Sequence, residues 1–246
     1  MRSVRSSRFF IEDAVAPGAT VEITGGDAHK IARVLRLREG DAIALIDSAG
    51  RTYSATLLDC GRIVRAEVQS EIGRPERAPA LRVHLAQAVP KGSRMDFVIE
   101  KATELGVATF QPFFSERSVG GNAGDAKLSR WQRLARAAAQ QCGRSEVPHV
   151  EQPVAFDDLV QRFSGFDAVL FAWELAEPEP LMERLAETLP SAGTTLVVVG
   201  PEGGFSHAEA EKAAAEGAKL LWLGPRVLRT DTAALVLLAV IGAISS

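Results

Sequence analysis

Two glycine-bearing segments near the end of the chain, Gly200-Pro201-Glu202-Gly203-Gly204 and Leu223-Gly224-Pro225-Arg226-Val227-Leu228-Arg229-Thr230, combine bare backbone with a carboxylate and arginines. Glycine lets backbone N–H and C=O groups approach a ligand with no side chain in the way. An arginine beside them can stabilise negative charge that develops during a reaction. Neither segment is a G-x-G-x-x-G turn or a G-x-x-x-x-G-K-[ST] loop, so a dinucleotide fold and a P-loop are not supported. Taken alone, Gly-Pro-Glu-Gly-Gly also fits a tight turn that ends a strand.

The elements that must hold these segments follow from the pattern around them. Thr195-Leu196-Val197-Val198-Val199 is continuous, β-branched and bounded by glycine, which reads as a buried parallel strand. Its loop then lies at a strand's carboxyl end, where open α/β sheets bind ligands, and two such loops predict one shared pocket. From Leu81 onward strands alternate with helices: Leu81–Val89, a helix over Met95–Leu105, Ala108–Phe114, a helix over Lys127–Cys142, Ala168–Ala172, and a helix near Leu181–Leu189. That rhythm predicts a parallel sheet covered on both faces. Ser206-His207-Ala208-Glu209 is a capping box that starts a helix, and a last helix begins near Thr232. Residues 1–72 read as short strands with turn signals, around Val21–Gly26, Asp41–Asp47 and Arg62–Val68, which suits a small β-barrel-like domain. The charged, proline-bearing stretch from Ile72 to Pro79 separates the two patterns. The expected organisation is therefore a domain over 1–72, a linker over 73–80 and an α/β domain over 81–246.

Composition narrows the function classes. With 246 residues, 46% hydrophobic and 24% charged, the chain has the makeup of an ordinary folded protein. Cys60 and Cys142 form no C-x-x-C, and the four histidines have no metal-binding spacing, so neither a disulfide framework nor a metal site is expected. The basic start has no apolar region behind it, and the apolar stretch Ala233–Ile244 is too short to span a bilayer, so a cytoplasmic protein with no membrane partner is expected. The net charge of −3 comes from residues 150–246, whereas 82–149 carry an excess of basic residues. Such an imbalance leaves room for an RNA-facing surface and equally describes a solvated face.

The two glycine segments, with the continuation Asp231-Thr232-Ala233 and the upstream Gln141-Cys142-Gly143-Arg144-Ser145, resemble the bacterial 16S rRNA uridine N3-methyltransferases of the SPOUT class. The resemblance extends over Arg8-Phe9-Phe10, His29-Lys30-Ile31-Ala32-Arg33-Val34-Leu35-Arg36 and Lys91-Gly92-Ser93-Arg94-Met95-Asp96, and departs from the commoner pattern at Asp231, where glutamate is usual. It implies a PUA-like β-barrel followed by a SPOUT-type parallel sheet with a C-terminal trefoil knot, a fold that periodicity alone would reject. It implies S-adenosylmethionine as cofactor, 16S rRNA of the small ribosomal subunit as substrate, and a homodimer through the C-terminal domain. The implied cofactor residues are Phe171, Trp173, Glu174, Val199, Gly200, Glu202, Gly203, Gly204, Leu223, Gly224, Val227, Leu228, Arg229, Thr232 and Ala233. Gly203→Val is expected to push a branched side chain against the cofactor.

The implied reaction removes the N3 proton of an unpaired uridine and methylates that nitrogen. Arg229 is the candidate catalytic residue; a helix-start or interface ion pair is an equal reading of it. Glu202 suits proton acceptance or a cofactor amine, but organisation of its own loop through backbone N–H groups fits better. No residue stands out as the general base. Candidate RNA contacts are Arg8, Arg33, Arg36, Lys91, Arg94, Arg117 and Arg144, with Phe9 or Phe10 as a stacking platform for a base. The competing reading is a non-catalytic RNA-binding ribosome-assembly factor with the same fold, against which Gly203, Gly204, Gly224 and Arg229 count.

Overall fold

The computed structural model describes residues 7–73, 79–118 and 124–245. The chain divides into two compact units, one of residues 1–78 with 139–146 and one of residues 79–138 with 147–246. Most of the expected linker, residues 74–78, lies outside the described residues.

The first unit is built on a five-stranded sheet. Its strands are β1 (Arg8–Phe10), β2 (Thr20–Ile23), β3 (Ala42–Ile46), β4 (Thr52–Cys60) and β5 (Val64–Gly73), in the order β1-β3-β4-β5-β2. β1 runs parallel to β3 and the other pairs are antiparallel. Alternation sets the buried face: Tyr53, Ala55 and Leu57 of β4 meet Val64, Ala66 and Val68 of β5 in a core that also takes Phe9, Ile43 and Leu45. Helix α1 (Gly25–His29) continues as a π-helical turn over Lys30–Val34 and closes the core with Ala28 and Ile31. The sequence pattern predicts only a strand and turn at the start of this segment, because five helical residues are too few to display a 3.6-residue period. Phe9 is fully buried and Phe10 is 8% exposed, so neither offers a face on which a base could stack.

The second unit carries a parallel sheet in the order β12-β10-β11-β6-β7-β8, with β9 also paired to β7. Its strands are β6 (Leu81–Ala88), β7 (Thr109–Phe114), β8 (His149–Val150), β9 (Val154–Ala155), β10 (Ala168–Ala172), β11 (Gly193–Val199) and β12 (Lys219–Leu221). The apolar runs are continuous because each strand feeds two cores. Leu170, Val197 and Val199 pack with helices α2 (Arg94–Glu104), α5 (Leu181–Thr188) and α7 (Thr230–Ile244), and with the first part of α3 (Asp125–Cys142). Val169, Phe171, Leu196 and Val198 pack on the opposite side with α4 (Phe156–Val160) and α6 (His207–Ala215). The expected capping box is present: Ser206 accepts from the Glu209 N–H, and the Glu209 carboxylate accepts from the Ser206 N–H. That carboxylate also accepts from Glu116 N–H at 2.9 Å, which ties residue 116 to the start of α6.

Among the described residues, no helix is long and apolar enough to cross a membrane, and no group of three metal-ligating side chains comes together.

Candidate active site

Parallel pairing of β12, β10 and β11 puts the carboxyl ends Leu221, Ala172 and Val199 side by side on one edge of the sheet. The chain leaves all three ends as loops, and these surround a cavity of about 490 Å³. Cavities of this size take small-molecule ligands. Its wall includes Trp173 and Glu174 after β10, Val199 to Phe205 after β11, Trp222 to Thr230 after β12, and Ala233 of α7. The expected cofactor residues Trp173, Glu174, Val199, Gly200, Glu202, Gly203, Gly204, Leu223, Gly224, Val227, Leu228, Arg229 and Ala233 all lie there.

Two expected residues do not. Phe171 is fully buried on the far face of the sheet, its ring 4.1 Å from that of Phe205, because residues of one strand alternate between the two cores. Thr232 is exposed and absent from the wall; Thr230, two residues earlier, is the buried threonine of the α7 start. Its hydroxyl donates to the Gly200 carbonyl and accepts from Gln87 Nε2 at 2.7 Å. Gln87 Nε2 also donates to the Ala88 carbonyl at 3.1 Å. With both amide protons used, the threonine proton is committed to Gly200, and the three groups lock the two glycine loops to β6. The sequence pattern does not single out Gln87 or Thr230, since 143 residues separate them.

The glycines differ in what they make room for. Gly204 has φ +67°, and a Cβ there would collide with the Glu174 carboxylate. A Cβ on Gly203 would instead lie 3.2 Å from Arg117 Cβ. Gly203→Val therefore presses on the residue 117 segment, whereas a side chain at position 204 would press on Glu174.

Glu202 binds outward from its loop. It accepts from Lys91 N–H at 3.0 Å and from Arg94 Nη1 at 2.8 Å, holding the start of α2 against the pocket. Burial by itself raises this carboxyl, but hydrogen bonds from its own and Lys91's backbone N–H, together with the Arg94 charge, outweigh it and hold the group below the usual glutamate range. A carboxylate so stabilised is a weak base, which leaves Glu174 as the other carboxylate of the wall.

Three guanidinium groups line the cavity: Arg94, Arg226 and Arg229. Arg94 is paired with Glu202, whereas Arg229, exposed at the N-cap of α7, has no side-chain partner among the described residues. The ion-pair reading of Arg229 thus has no carboxylate to support it among the described residues. Trp173 contributes a buried indole N–H with no acceptor among the described residues, and its ring stands edge-on to His207 at 5.3 Å. An unpaired buried donor in a pocket wall suits a ligand acceptor. Leu223, Leu228, Val199 and Ala233 supply the apolar part.

The RNA-contact candidates are scattered over both units. Arg117 Nη1 donates to the Gly203 carbonyl at 3.0 Å, Arg94 is held by Glu202, and Arg8 donates to the Gly143 carbonyl. Arg33, Arg36 and Lys91 are exposed, Arg36 in the left-handed region at φ +54°, and Arg144 is half-buried after Gly143.

An RNA methyltransferase domain family matches residues 76–242, and an RNA methyltransferase PUA domain family matches residues 23–71. The ribosomal RNA small subunit methyltransferase E of Bacillus subtilis is 33% identical over 95% of both chains. The chain belongs to this family. The member from Mycobacterium tuberculosis is 34% identical over 97% of this chain and 92% of its own length. A crystal structure of the member from Neisseria gonorrhoeae, bound to S-adenosyl methionine, superposes with a TM-score of 0.87 at 29% identity, covering 97% of this chain and 98% of the other. The resemblance read from the sequence holds, and the family's two domain types account for the sheet-based first unit and the parallel-sheet second unit.

Proposed function

We propose that this chain transfers a methyl group from S-adenosylmethionine to N3 of a specific uridine in 16S rRNA, acting as a homodimer on the small ribosomal subunit in the cytoplasm. The observation that carries the reading is the convergence of three parallel strand ends on a single pocket with glycine backbone, apolar walls, and an indole N–H and an arginine that have no side-chain partner among the described residues. The residues fit the cofactor. Leu223, Leu228, Val199 and Ala233 would flank an adenine ring, and the backbone of residues 200–204 and 222–228, with the Trp173 N–H, would meet its polar edges. When bound, the cofactor supplies an electrophilic methyl on a sulfonium.

The chain's own residues then have separable roles. Loss of the N3 proton leaves negative charge spread over the uracil carbonyl oxygens, and Arg229 stabilises it as it develops. Arg226 adds positive charge at the rim, where an RNA backbone must pass, and Arg94, neutralised by Glu202, offers it only the N–H groups left over from that pair. Positioning of base and methyl supplies much of the rate, so the lock of Gln87, Thr230 and Gly200 matters as much as any acid or base. The knotted path of the last strands and helix, and the dimer, are parts of the same proposal. Half-exposed Leu235 and Val236 on the outward side of α7 support the dimer.

The test is methyl transfer from labelled S-adenosylmethionine to unmodified small subunits and to protein-free 16S rRNA, mapped by reverse-transcription stops. One stop at a uridine is expected, because an N3 methyl blocks the pairing edge. Tight RNA binding with no transfer to either substrate would overturn the reading in favour of an assembly factor.

A further inference from the structure

The pocket at the strand ends does not draw on three of the sequence motifs, namely Arg8-Phe9-Phe10, the segment from His29 to Arg36, and Gln141-Cys142-Gly143-Arg144. In the first unit all three meet. A cavity of about 510 Å³ is lined by Ser7, Arg8 and Phe9 of the β1 segment, by Lys30 and Leu35, and by four consecutive residues from Gln140 to Gly143. Every one of these residues belongs to the first unit.

How the cavity is built decides what it accepts. Helix α3 ends on Gly143, whose φ of +86° is the left-handed conformation that closes a helix, with Arg144 N–H bonded back to the Ala139 carbonyl at 3.1 Å. A Cβ on Gly143 would come within 2.8 Å of Arg8 Nη1, so glycine here also leaves room for the guanidinium. Arg8 donates to the Gly143 carbonyl, neutralising the negative end of the helix with one of its five N–H groups. Across the cavity, Lys30 Nζ stands 5.9 Å from the centre of the Phe9 ring and 3.4 Å from Gln140 Oε1, a long bond for an ammonium. Gln140 is itself held by Asp27, at 3.1 and 3.2 Å. Among the described residues the lining thus contains two cations with donors to spare, two amides, a hydroxyl, a thiol and no carboxylate.

We infer that this cavity is a second RNA site, in which Lys30 and Arg8 hold a backbone phosphate of the rRNA away from the nucleotide that is methylated. The inference rests on the proposed RNA substrate and adds a named contact outside the methyl-transfer pocket. An anion suits a wall whose described residues include two cations and no carboxylate, and the exposed Gln141 amide offers a further donor to a phosphate oxygen or ribose hydroxyl.

The experiment measures equilibrium binding of a 16S rRNA fragment to the full-length protein across a salt series, for wild type, Lys30→Gln and Arg8→Gln. Lys30→Gln keeps a polar group beside Gln140 while removing the charge, so folding is retained even if Arg8→Gln loosens the end of α3. The expected result for Lys30→Gln is RNA affinity weakened about fivefold, with the slope of log affinity against log salt reduced by about 0.7, as for one lost contact to a single strand. S-adenosylmethionine affinity, measured by calorimetry, stays at the wild-type value. Unchanged RNA affinity and slope in both variants would overturn the site while leaving the methyl-transfer reading intact. If wild type binds no rRNA, both fall. Inorganic phosphate serves as a control probe: if it protects wild type against thermal unfolding and not Lys30→Gln, while RNA affinity is the same in the two, the cavity takes a free anion and the RNA assignment is wrong.

Discussion

At the scale of single residues, charge partners separate the arginines by role. Arg229 lines the pocket and is bonded to no carboxylate among the described residues, so its positive charge is available to a substrate. Arg229→Ala is expected to lower kcat about a hundredfold, the usual loss when one group that stabilises a developing oxyanion is removed. Arg229→Lys should recover only part of the rate, because an ammonium is a point charge and not a planar fork. Affinity for S-adenosylmethionine should change little; single-turnover rates and calorimetry on the two variants give the split, and an unchanged kcat would remove Arg229 from the chemistry. Arg94 behaves differently, since its charge is committed to Glu202 at 2.8 Å. The Glu202 carboxyl is held below its ordinary value of 4.5, so the folded protein binds a proton there less readily than the unfolded chain. The pair then contributes stability above pH 4.5 and loses it as pH falls through the depressed folded value. Both side chains are partly exposed, which keeps the contribution to about 0.5–1 kcal/mol near neutrality. Urea midpoints of wild type and Glu202→Gln should differ at pH 7 and converge in acid; a difference that stays constant with pH would show that the carboxylate charge is not involved.

Elements set these residues in place, and they differ in how well the sequence reveals them. Ala168–Ala172 and the part of β11 from Thr195 to Val199 are legible because a strand buried on both faces takes a nearly continuous apolar run, and that continuity is hard to mistake. The same two-sided burial hides which residue faces the ligand, and for that reason Phe171 is expected in a pocket from which its ring is turned away. β12, β8 and β9 span only two or three residues, too few for any period, and emerge from pairing alone. The start of α7 shows a further limit. Thr232 looks like the polar residue of the loop, yet Thr230 is the one gripped between Gln87 and Gly200. Only the pairing of β6 with β11 brings Gln87 to this place. Thr230→Val keeps the side-chain shape and leaves both a buried amide donor and a buried carbonyl unpaired, at about 1–3 kcal/mol each. Its unfolding free energy in urea should drop by about 2–6 kcal/mol on that basis, and S-adenosylmethionine affinity should drop with it as the two loops separate. Thr230→Ser keeps the hydroxyl and should restore most of both. Equal behaviour of the serine and valine variants would mean that the hydroxyl bonds do not hold the loops.

For the whole molecule, the question is what covers the remaining apolar surface. α7 buries Ala233, Ala234, Leu237, Leu238 and Ile241 in the core of its own unit, one stripe of the helix. Leu235 and Val236 on its other sides are only half-buried, and Ile244 is 37% exposed. A helix that is apolar all round is stable in water only if most of its circumference is covered. The proposed homodimer provides that cover, because a two-fold contact applies the same surface of α7 to itself. Val227 belongs to the same argument: it lines the pocket and is 88% exposed, an unusual position for valine unless a ligand or a second copy closes over it. Sedimentation equilibrium should therefore return about twice the chain mass of 26.3 kDa. Val236→Glu, which places a charge on the outward stripe and none in the core, should return the single-chain mass with the circular dichroism of wild type. If the pocket is completed by the second copy, that monomer should also lose methyl transfer, beyond what its S-adenosylmethionine affinity would explain. A wild-type chain that sediments at the single-chain mass would overturn the dimer and leave the outward face of α7 for another partner.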